Sequence, residues 1–203
     1  MKTEPAPIHF ITSNQKKFAS LQKLLQPLDI ELQRLDYDFN EGRGLDIQQI
    51  AKSKLTQAKK AFPGKRLIVD DRGFFIPALN GFPGPFVKLL LDSFSYQGII
   101  KLMQDETDRR AIFSFAVGYF DGAKDHTFVA NEEGFITDEP RGDNLHGWTE
   151  LLYIYGHPSF PGRSLAELSD TQWQEYLAAI EDVDAFAMVR DYLKRVELSQ
   201  IRR

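Results

Sequence analysis

Cysteine is absent from this chain of 203 residues. The absence excludes disulfide bonds, cysteine nucleophiles and thiolate-bound metal centres. Histidine is scarce, with four residues, and His9, His126, His146 and His157 are too scattered to give a metal-binding spacing. Chemistry based on thiols or on histidine clusters is therefore excluded.

Long apolar runs and an excess of basic residues are also missing. No run of about 18 apolar residues occurs, so we expect no transmembrane helix. The polar start, Met1 to Pro7, lacks the apolar core of a signal peptide, and we expect a cytoplasmic location. Lysine and arginine total 25 against 29 acidic residues, which disfavours binding of long DNA or RNA. A small phosphate-bearing ligand needs only a few focused cations and stays possible.

Apolar periodicity in the first half alternates between strands and helices. The pattern predicts strands at 8–11 and 30–35, helices at 16–28 and 47–62, and a short buried strand that ends on Asp70 and Asp71. Pro63 and Gly64 stop the second of these helices. A strand, a polar loop and a helix in this order form the start of an α/β unit.

The second half mixes antiparallel strand signals with helices. Asp121-Gly122 predicts a hairpin between strands at 111–120 and 127–130. Further predictions are a shaped loop at 74–85, helices near 86–94 and 97–103, a strand at 134–136 and helices at 170–180 and 184–196. We therefore predict a mixed α/β (α+β) fold, with a partly antiparallel mixed sheet flanked by helices, in one large domain or two tightly packed lobes.

The first candidate site is the segment Thr12 to Lys17, between a strand and a helix. Small hydroxyls, a lysine and the positive end of a helix can together hold phosphate oxygens. The segment contains no glycine and so differs from the usual glycine-rich phosphate loop. The alternative is a capped helix with solvated lysines.

The second candidate is the adjacent pair Asp70 and Asp71 after the buried strand. Alternation along a strand points successive side chains to opposite sides, so one carboxylate could bind a hard divalent cation while the other orients water. The alternative is a turn in which Arg72 pairs with one of the two carboxylates.

The third candidate is the loop 78–88, rich in glycine, proline and aromatic residues. Glycines permit a close backbone approach and prolines stiffen the loop, so a specific surface is being shaped. Lys88 could reach a phosphate from it. The alternative is a structural wall with the aromatic side chains in the core.

These segments together resemble the inosine triphosphate pyrophosphatase family. TSNQKKF is similar to its phosphate motif, LIVDDRGF to its acidic motif and ALNGFPGPFVK to its Leu-Asn-Gly-Phe-Pro-Gly loop. The later segments RRAIFSFAVGYFDG, NEEGFITDEPRG and SLAELS follow the family order, so the resemblance covers almost the whole chain.

The resemblance implies a single domain, 1–203, with an elongated fold of two lobes around a central cleft. It also implies a homodimer and a Mg²⁺-dependent reaction that yields a nucleoside monophosphate and pyrophosphate. Asp71 would be the water-activating base. The substrate would contact Thr12, Ser13, Asn14, Lys17, Lys54, Lys88 and Trp148, and the metal ligands would be Asp70, Asp71 and Glu41.

The chain departs from the family pattern in three places. Arg72 replaces a small hydroxyl residue beside Asp71. The metal site is short of carboxylates, with only Glu41 near the expected position. In the base-reading half, His146 replaces the stacking aromatic and Thr149 replaces an aspartate, so action on a different base is an alternative to the family's inosine- and xanthosine-type substrates. The alternative function is a family member that binds a nucleotide or a partner without turnover.

Overall fold

The computed structural model describes residues 6–40, 44–181 and 183–201. These residues form seven β-strands and five α-helices. The strands are β1 (Ile8–Ile11), β2 (Leu32–Leu35), β3 (Arg66–Phe75), β4 (Pro83–Gly84), β5 (Arg110–Phe120), β6 (Asp125–Ile136) and β7 (Tyr155–Gly156). The helices are α1 (Gln15–Leu25), α2 (Ile47–Ala61), α3 (Val87–Leu102), α4 (Asp170–Ala179) and α5 (Ala185–Ile201).

The strands form one seven-stranded mixed sheet in the order β2-β1-β3-β5-β6-β7, with β4 paired to β3. β1 is parallel to β2 and β3, whereas β4 and β7 pair antiparallel with β3 and β6. The predicted mixed α/β fold is confirmed. No helix in the described ranges combines the length and apolar character needed to cross a membrane.

The chain divides into two compact units. Unit 1 comprises the described residues within Met1–Asp71, Phe115–Ala130 and Asp184–Arg203, and unit 2 those within Arg72–Ser114 and Asn131–Val183. β3, β5 and β6 contribute residues to both units. The expected cleft between two lobes stays a prediction.

Unit 1 has a hydrophobic cluster on each face of its parallel strands. Phe10 and Ile68 pack with α1 and α5 in one cluster, while Ile11 and Val69 pack with α2 in the other. Successive side chains of a strand point to opposite faces, which explains how buried strands supply both clusters. This two-sided burial fixes α1 and α2 on opposite faces of β1 and β3.

Three predictions of elements differ from the structure. The strands predicted at 127–130 and 134–136 form the single strand β6. β3 does not end at the acidic pair but continues to Phe75, so that Asp70 and Asp71 lie in mid-strand. The helices predicted near 86–94 and 97–103 form the single element α3, in which Ser95 has a left-handed φ of 56°. This residue interrupts the helix where the sequence predicts the gap between two helices.

Unit 2 contains a set of packed aromatic rings and the half-buried Arg109. The ring of Phe113 lies 4.6 Å from that of Phe74 and 4.7 Å from that of Tyr155, measured between centroids. The Arg109 guanidinium donates hydrogen bonds to the backbone carbonyls of Met103, Ile136 and Thr137. These bonds tie the end of α3 to the end of β6.

His9 is a buried histidine on β1, with 3% of its surface exposed. Its Nε2 lies 3.0 Å from Lys65 Nζ, and its Nδ1 lies 3.4 Å from the Arg66 carbonyl oxygen. A neutral ring satisfies both contacts, with Nδ1–H as donor and Nε2 as acceptor. Burial, followed by the nearby Lys65 charge, lowers the pKa of His9 below its usual 6.5.

We predict an acid-sensitive fold. Because the folded pKa of His9 is depressed, the unfolded chain binds more protons as the pH falls below 6.5, and the free energy of unfolding decreases. His9→Gln should reduce this loss between pH 7 and pH 5, measured by urea unfolding at each pH. Lys65→Met should also reduce it. An unchanged pH dependence in both variants would contradict the assignment.

Glu132 is the buried carboxylate of unit 2, with 3% exposure. Its Oε1 accepts a hydrogen bond of 2.8 Å from the Tyr176 hydroxyl. The Tyr155 hydroxyl donates to its backbone carbonyl at 3.2 Å. Burial raises the pKa of Glu132 above its usual value despite these bonds. The charged form is therefore disfavoured inside this unit.

Glu132→Gln should stabilise the protein at neutral pH. The amide keeps the oxygen that accepts from Tyr176 but carries no charge, so the burial cost disappears. The raised acid pKa makes the wild-type free energy of unfolding fall as the pH rises above about 4.5. The advantage of the variant should grow over that window in urea unfolding, and a constant difference would refute the interpretation.

Candidate active site

A cavity of about 490 Å³ lies in unit 1, where β1 and β2 end. The carboxyl ends of neighbouring parallel strands are the usual place for ligands in open α/β sheets. It is lined by Ile11, Thr12, Ser13, Asn14, Lys17, Tyr37, Asp38, Phe39, Lys54 and Asp70. Six of the residues predicted for the site, namely Thr12, Ser13, Asn14, Lys17, Lys54 and Asp70, thus share one cavity.

Asn14 shapes the turn at this cavity by capping α1. Its Oδ1 accepts the backbone N–H groups of Lys16 at 2.9 Å and Lys17 at 3.2 Å, and its own N–H donates to Thr12 Oγ1. Two first-turn N–H groups that could hold an anion are thereby already bonded within the chain. The positive charge available to an anion comes mainly from Lys17 and Lys54.

The acidic pair on β3 is matched by two lysines. Lys17 Nζ on α1 lies 2.7 Å from Asp70 Oδ2, and Lys54 Nζ on α2 lies 2.7 Å from Asp71 Oδ1. Asp70 and Asp71 are successive strand residues and project to opposite faces, and each meets the helix that covers its face. The two carboxylates therefore have separate surroundings and can have separate roles.

Both ion pairs are shielded from solvent. The side chains of Asp70, Asp71 and Lys54 are 5%, 12% and 10% exposed, and that of Lys17 is 26% exposed. Charges in such places interact more strongly than at the surface, and removal of one partner leaves the other at a high desolvation cost. An anionic ligand could therefore bind here by replacing the aspartates as the partners of Lys17 and Lys54.

The cavity is also lined by Tyr37, Asp38 and Phe39, which the sequence analysis does not predict as site residues. They follow β2 directly, and their position after a strand parallel to β1 is the signal that could have found them. The Phe39 ring lies 5.8 Å from Lys54 Nζ, and the Tyr37 ring packs edge-on against Phe39 at 5.0 Å. Within the described residues, Asp38 forms no ion pair.

Asp71 adjoins Asp70 but is not among the residues that line the cavity, and the remaining predicted residues lie elsewhere. Lys88 is on α3 in unit 2, pairs with Asp92 and has a side chain that is 88% exposed. Trp148 is also in unit 2, 47% exposed, with its ring 5.3 Å from that of Phe113. Neither is among the residues that line the cavity. Glu41 lies outside the described residues. The roles of these three residues stay predictions.

His146, expected near the base-reading half, is engaged within unit 2. Its ring stacks on Trp173 with centroids 5.2 Å apart and planes 18° from parallel. Its Nε2 lies 3.1 Å from Asp170 Oδ1. This face of His146 is therefore occupied by the protein itself.

The donors of the cavity suit a hard divalent cation held partly by its ligand. In the part of the chain that the structure describes, no group of three or more His, Asp or Glu side chains is placed to hold a metal. Asp38 and Asp70 are the carboxylates that line the cavity. Magnesium commonly takes one or two carboxylates and completes its octahedron with water and substrate phosphates. The donor set fits that mode.

Two solved structures have a similar fold. A HAM1 protein from Coxiella burnetii superposes with a TM-score of 0.73 at 24% identity, over 96% of this chain and 99% of that one. The Staphylococcus aureus Ham1 protein gives 0.73 at 22% identity, over 92% and 98%. At these identities the likeness supports the fold.

Sequence comparison reaches proteins with named activities. A protein of Methanopyrus kandleri named dITP/XTP pyrophosphatase is 34% identical over 74% of this chain and 80% of its own length. A second of that name, from Saccharolobus solfataricus, is 30% identical over 92% and 93%. The profile of the Ham1 family matches residues 8–177. The chain belongs to the Ham1 family.

Proposed function

We propose that the protein hydrolyses inosine- and xanthosine-type purine nucleoside triphosphates to a nucleoside monophosphate and pyrophosphate. The observation that carries the proposal is the pair of lysine–aspartate contacts at the cavity of unit 1. Lys17, Lys54 and Asp70 line the cavity, and Lys54 also contacts Asp71, the neighbour of Asp70 on β3. The names of its relatives, dITP/XTP pyrophosphatases, support the same reaction. Lysines bind phosphate oxygens and carboxylates activate water, so the groups needed for this chemistry are together.

Lys17 and Lys54 bind the triphosphate in this mechanism. Each exchanges its ion pair with an aspartate for contact with phosphate oxygens. When Lys54 turns to the substrate, Asp71 gives up the 2.7 Å contact and becomes a stronger proton acceptor. Substrate binding thereby activates the base at the moment it is needed.

Asp71 accepts the proton of the attacking water. The water oxygen forms a bond to the α-phosphorus, the bond from that phosphorus to the bridging oxygen breaks, and pyrophosphate leaves with the bonding electrons. The lysines neutralise the charge that collects on the leaving group. Lys88 and Trp148 belong to the proposal as further substrate contacts, the first for phosphate and the second for the base.

A divalent cation, Mg²⁺ in our proposal, completes the charge balance. Two lysines and two aspartates line the cavity, so its formal charge is zero and a free polyanion gains little from the site. Nucleotide pyrophosphatases are generally metal-dependent. Asp38 and Asp70 would hold the cation, with Asp71 and Glu41 as the further ligands predicted from the sequence. The cation would supply positive charge to the phosphate oxygens.

A homodimer and a cytoplasmic location complete the proposal. α3 leaves Leu89, Phe94 and Leu102 exposed by 66%, 70% and 52%, and exposed apolar side chains of this kind are suited to contact with a second copy. The substrates belong to the intracellular nucleotide pool, which supports the location.

The proposed mechanism predicts that turnover requires Asp71. With Mg²⁺ and a panel of nucleoside triphosphates, the wild type should release pyrophosphate, and Asp71→Asn should lower kcat about 100-fold or more because the proton acceptor is lost. Asp125→Asn is the matched control, since it breaks the exposed pair of Asp125 with Lys59. Nucleotide binding without pyrophosphate from any substrate would overturn the activity. Full activity of Asp71→Asn would overturn the role of Asp71.

The proposed mechanism also predicts that turnover requires a divalent cation. Chelation should abolish pyrophosphate release, and added Mg²⁺ should restore it. Asp38→Asn should raise the Mg²⁺ concentration for half-maximal rate roughly tenfold, because one of two lining carboxylates is removed. Activity that persists in chelator would refute cation dependence, and an unchanged Mg²⁺ requirement in the variant would refute the role of Asp38.

A further inference from the structure

Gln57 on α2 makes two hydrogen bonds to the backbone of one residue. Its Oε1 accepts from the Asn40 N–H at 2.9 Å, and its Nε2 donates to the Asn40 carbonyl at 3.0 Å. A side-chain amide offers one donor and one acceptor side by side, and here both are matched to the same peptide backbone. Two bonds to one residue restrict position and orientation together.

Asn40 is the last residue of the segment that follows β2 and lines the cavity. We call Tyr37 to Asn40 the wall segment. Outside regular secondary structure, such a segment has no ladder of hydrogen bonds to hold it. The clamp from Gln57 supplies two such bonds at its end.

The aromatic side chain of Phe39 also holds the wall segment in place. Phe39 packs against the buried cluster that contains Leu55, Ala58 and Val69, while its face lies 5.8 Å from Lys54 Nζ. Gln57 and Lys54 are three residues apart on α2 and so lie on neighbouring positions of one helix face. One face of α2 therefore carries both the substrate lysine and the clamp for the segment beside it.

We infer that Gln57 is a positioning residue for the pyrophosphatase reaction, acting through Asp38 and Phe39. The inference rests on the proposed function. By locking Asn40, Gln57 holds the Asp38 carboxylate at the cavity and keeps the Phe39 ring beside Lys54. Gln57 does not line the cavity and touches no reacting group.

Two substitutions of Gln57 remove different parts of this clamp. Gln57→Met keeps length and volume but loses both bonds. Gln57→Glu keeps an acceptor for the Asn40 N–H but places a second oxygen against the Asn40 carbonyl, where the donor is lost and the oxygens repel. Both variants should release the wall segment. Gln22→Met is the matched control, the same change at an exposed position of α1.

The first readout is kinetic. Gln57→Met and Gln57→Glu should lower kcat/KM roughly tenfold, the scale of two lost hydrogen bonds, and should raise the Mg²⁺ requirement. Gln22→Met should behave as the wild type. In a cycle with Asp38→Asn, the Gln57→Met effect on the Mg²⁺ requirement should largely vanish, because the group it positions is gone. Additive effects in this cycle would overturn the inference.

The second readout is independent of activity. Amide hydrogen exchange at Asn40 should accelerate in both Gln57 variants, with α2 remaining protected, because the Asn40 N–H loses or weakens its acceptor. Unchanged exchange at Asn40 would overturn the clamp. A wild type that releases no pyrophosphate from any nucleotide would remove the proposed reaction and the kinetic role of Gln57, while exchange would still test the clamp itself.

Discussion

The two lysine–aspartate pairs on β3 are the constraint on which the site depends. The side chains of Asp70 and Asp71 are largely shielded from solvent, and each carboxylate requires a nearby cation to offset its desolvation. Because a strand points neighbours to opposite faces, the cations must come from different helices. The position of α1 on one face and α2 on the other is thus tied to the electrostatics of two adjacent residues.

The sequence predicts local features well, because short-range rules govern them. The run from β1 through Asn14 to α1 follows from strand periodicity and helix capping, and the end of α2 follows from Pro63 and Gly64. The continuation of β3 past Asp71 was missed, since charged residues and Gly73 resemble a strand end. Beyond them, Phe74 and Phe75 pair with β4 and belong to the same strand.

Candidate site residues were predictable only in part. Thr12 and Lys17 lie in a recognisable turn, but nothing in the spacing of α2 distinguishes Lys54 from its other lysines, and its prediction came from family resemblance. Gln57 carries no local signal, because its role arises from contacts made after the chain folds, and Asp38 is marked only by its place after a strand parallel to β1. The stack of His146 on Trp173 is likewise a contact between distant residues.

The mid-strand location of the acidic pair has a consequence for insertions and deletions. One residue added to β3 just before Asp70 would turn every following side chain to the other face. Asp70 would then take the place of Asp71 and face Lys54 on α2. Asp71 would face α1 but lie two positions past the place where Asp70 now meets Lys17, and Phe74 would leave its buried position. In this strand, changes of length are therefore more damaging than most changes of residue type.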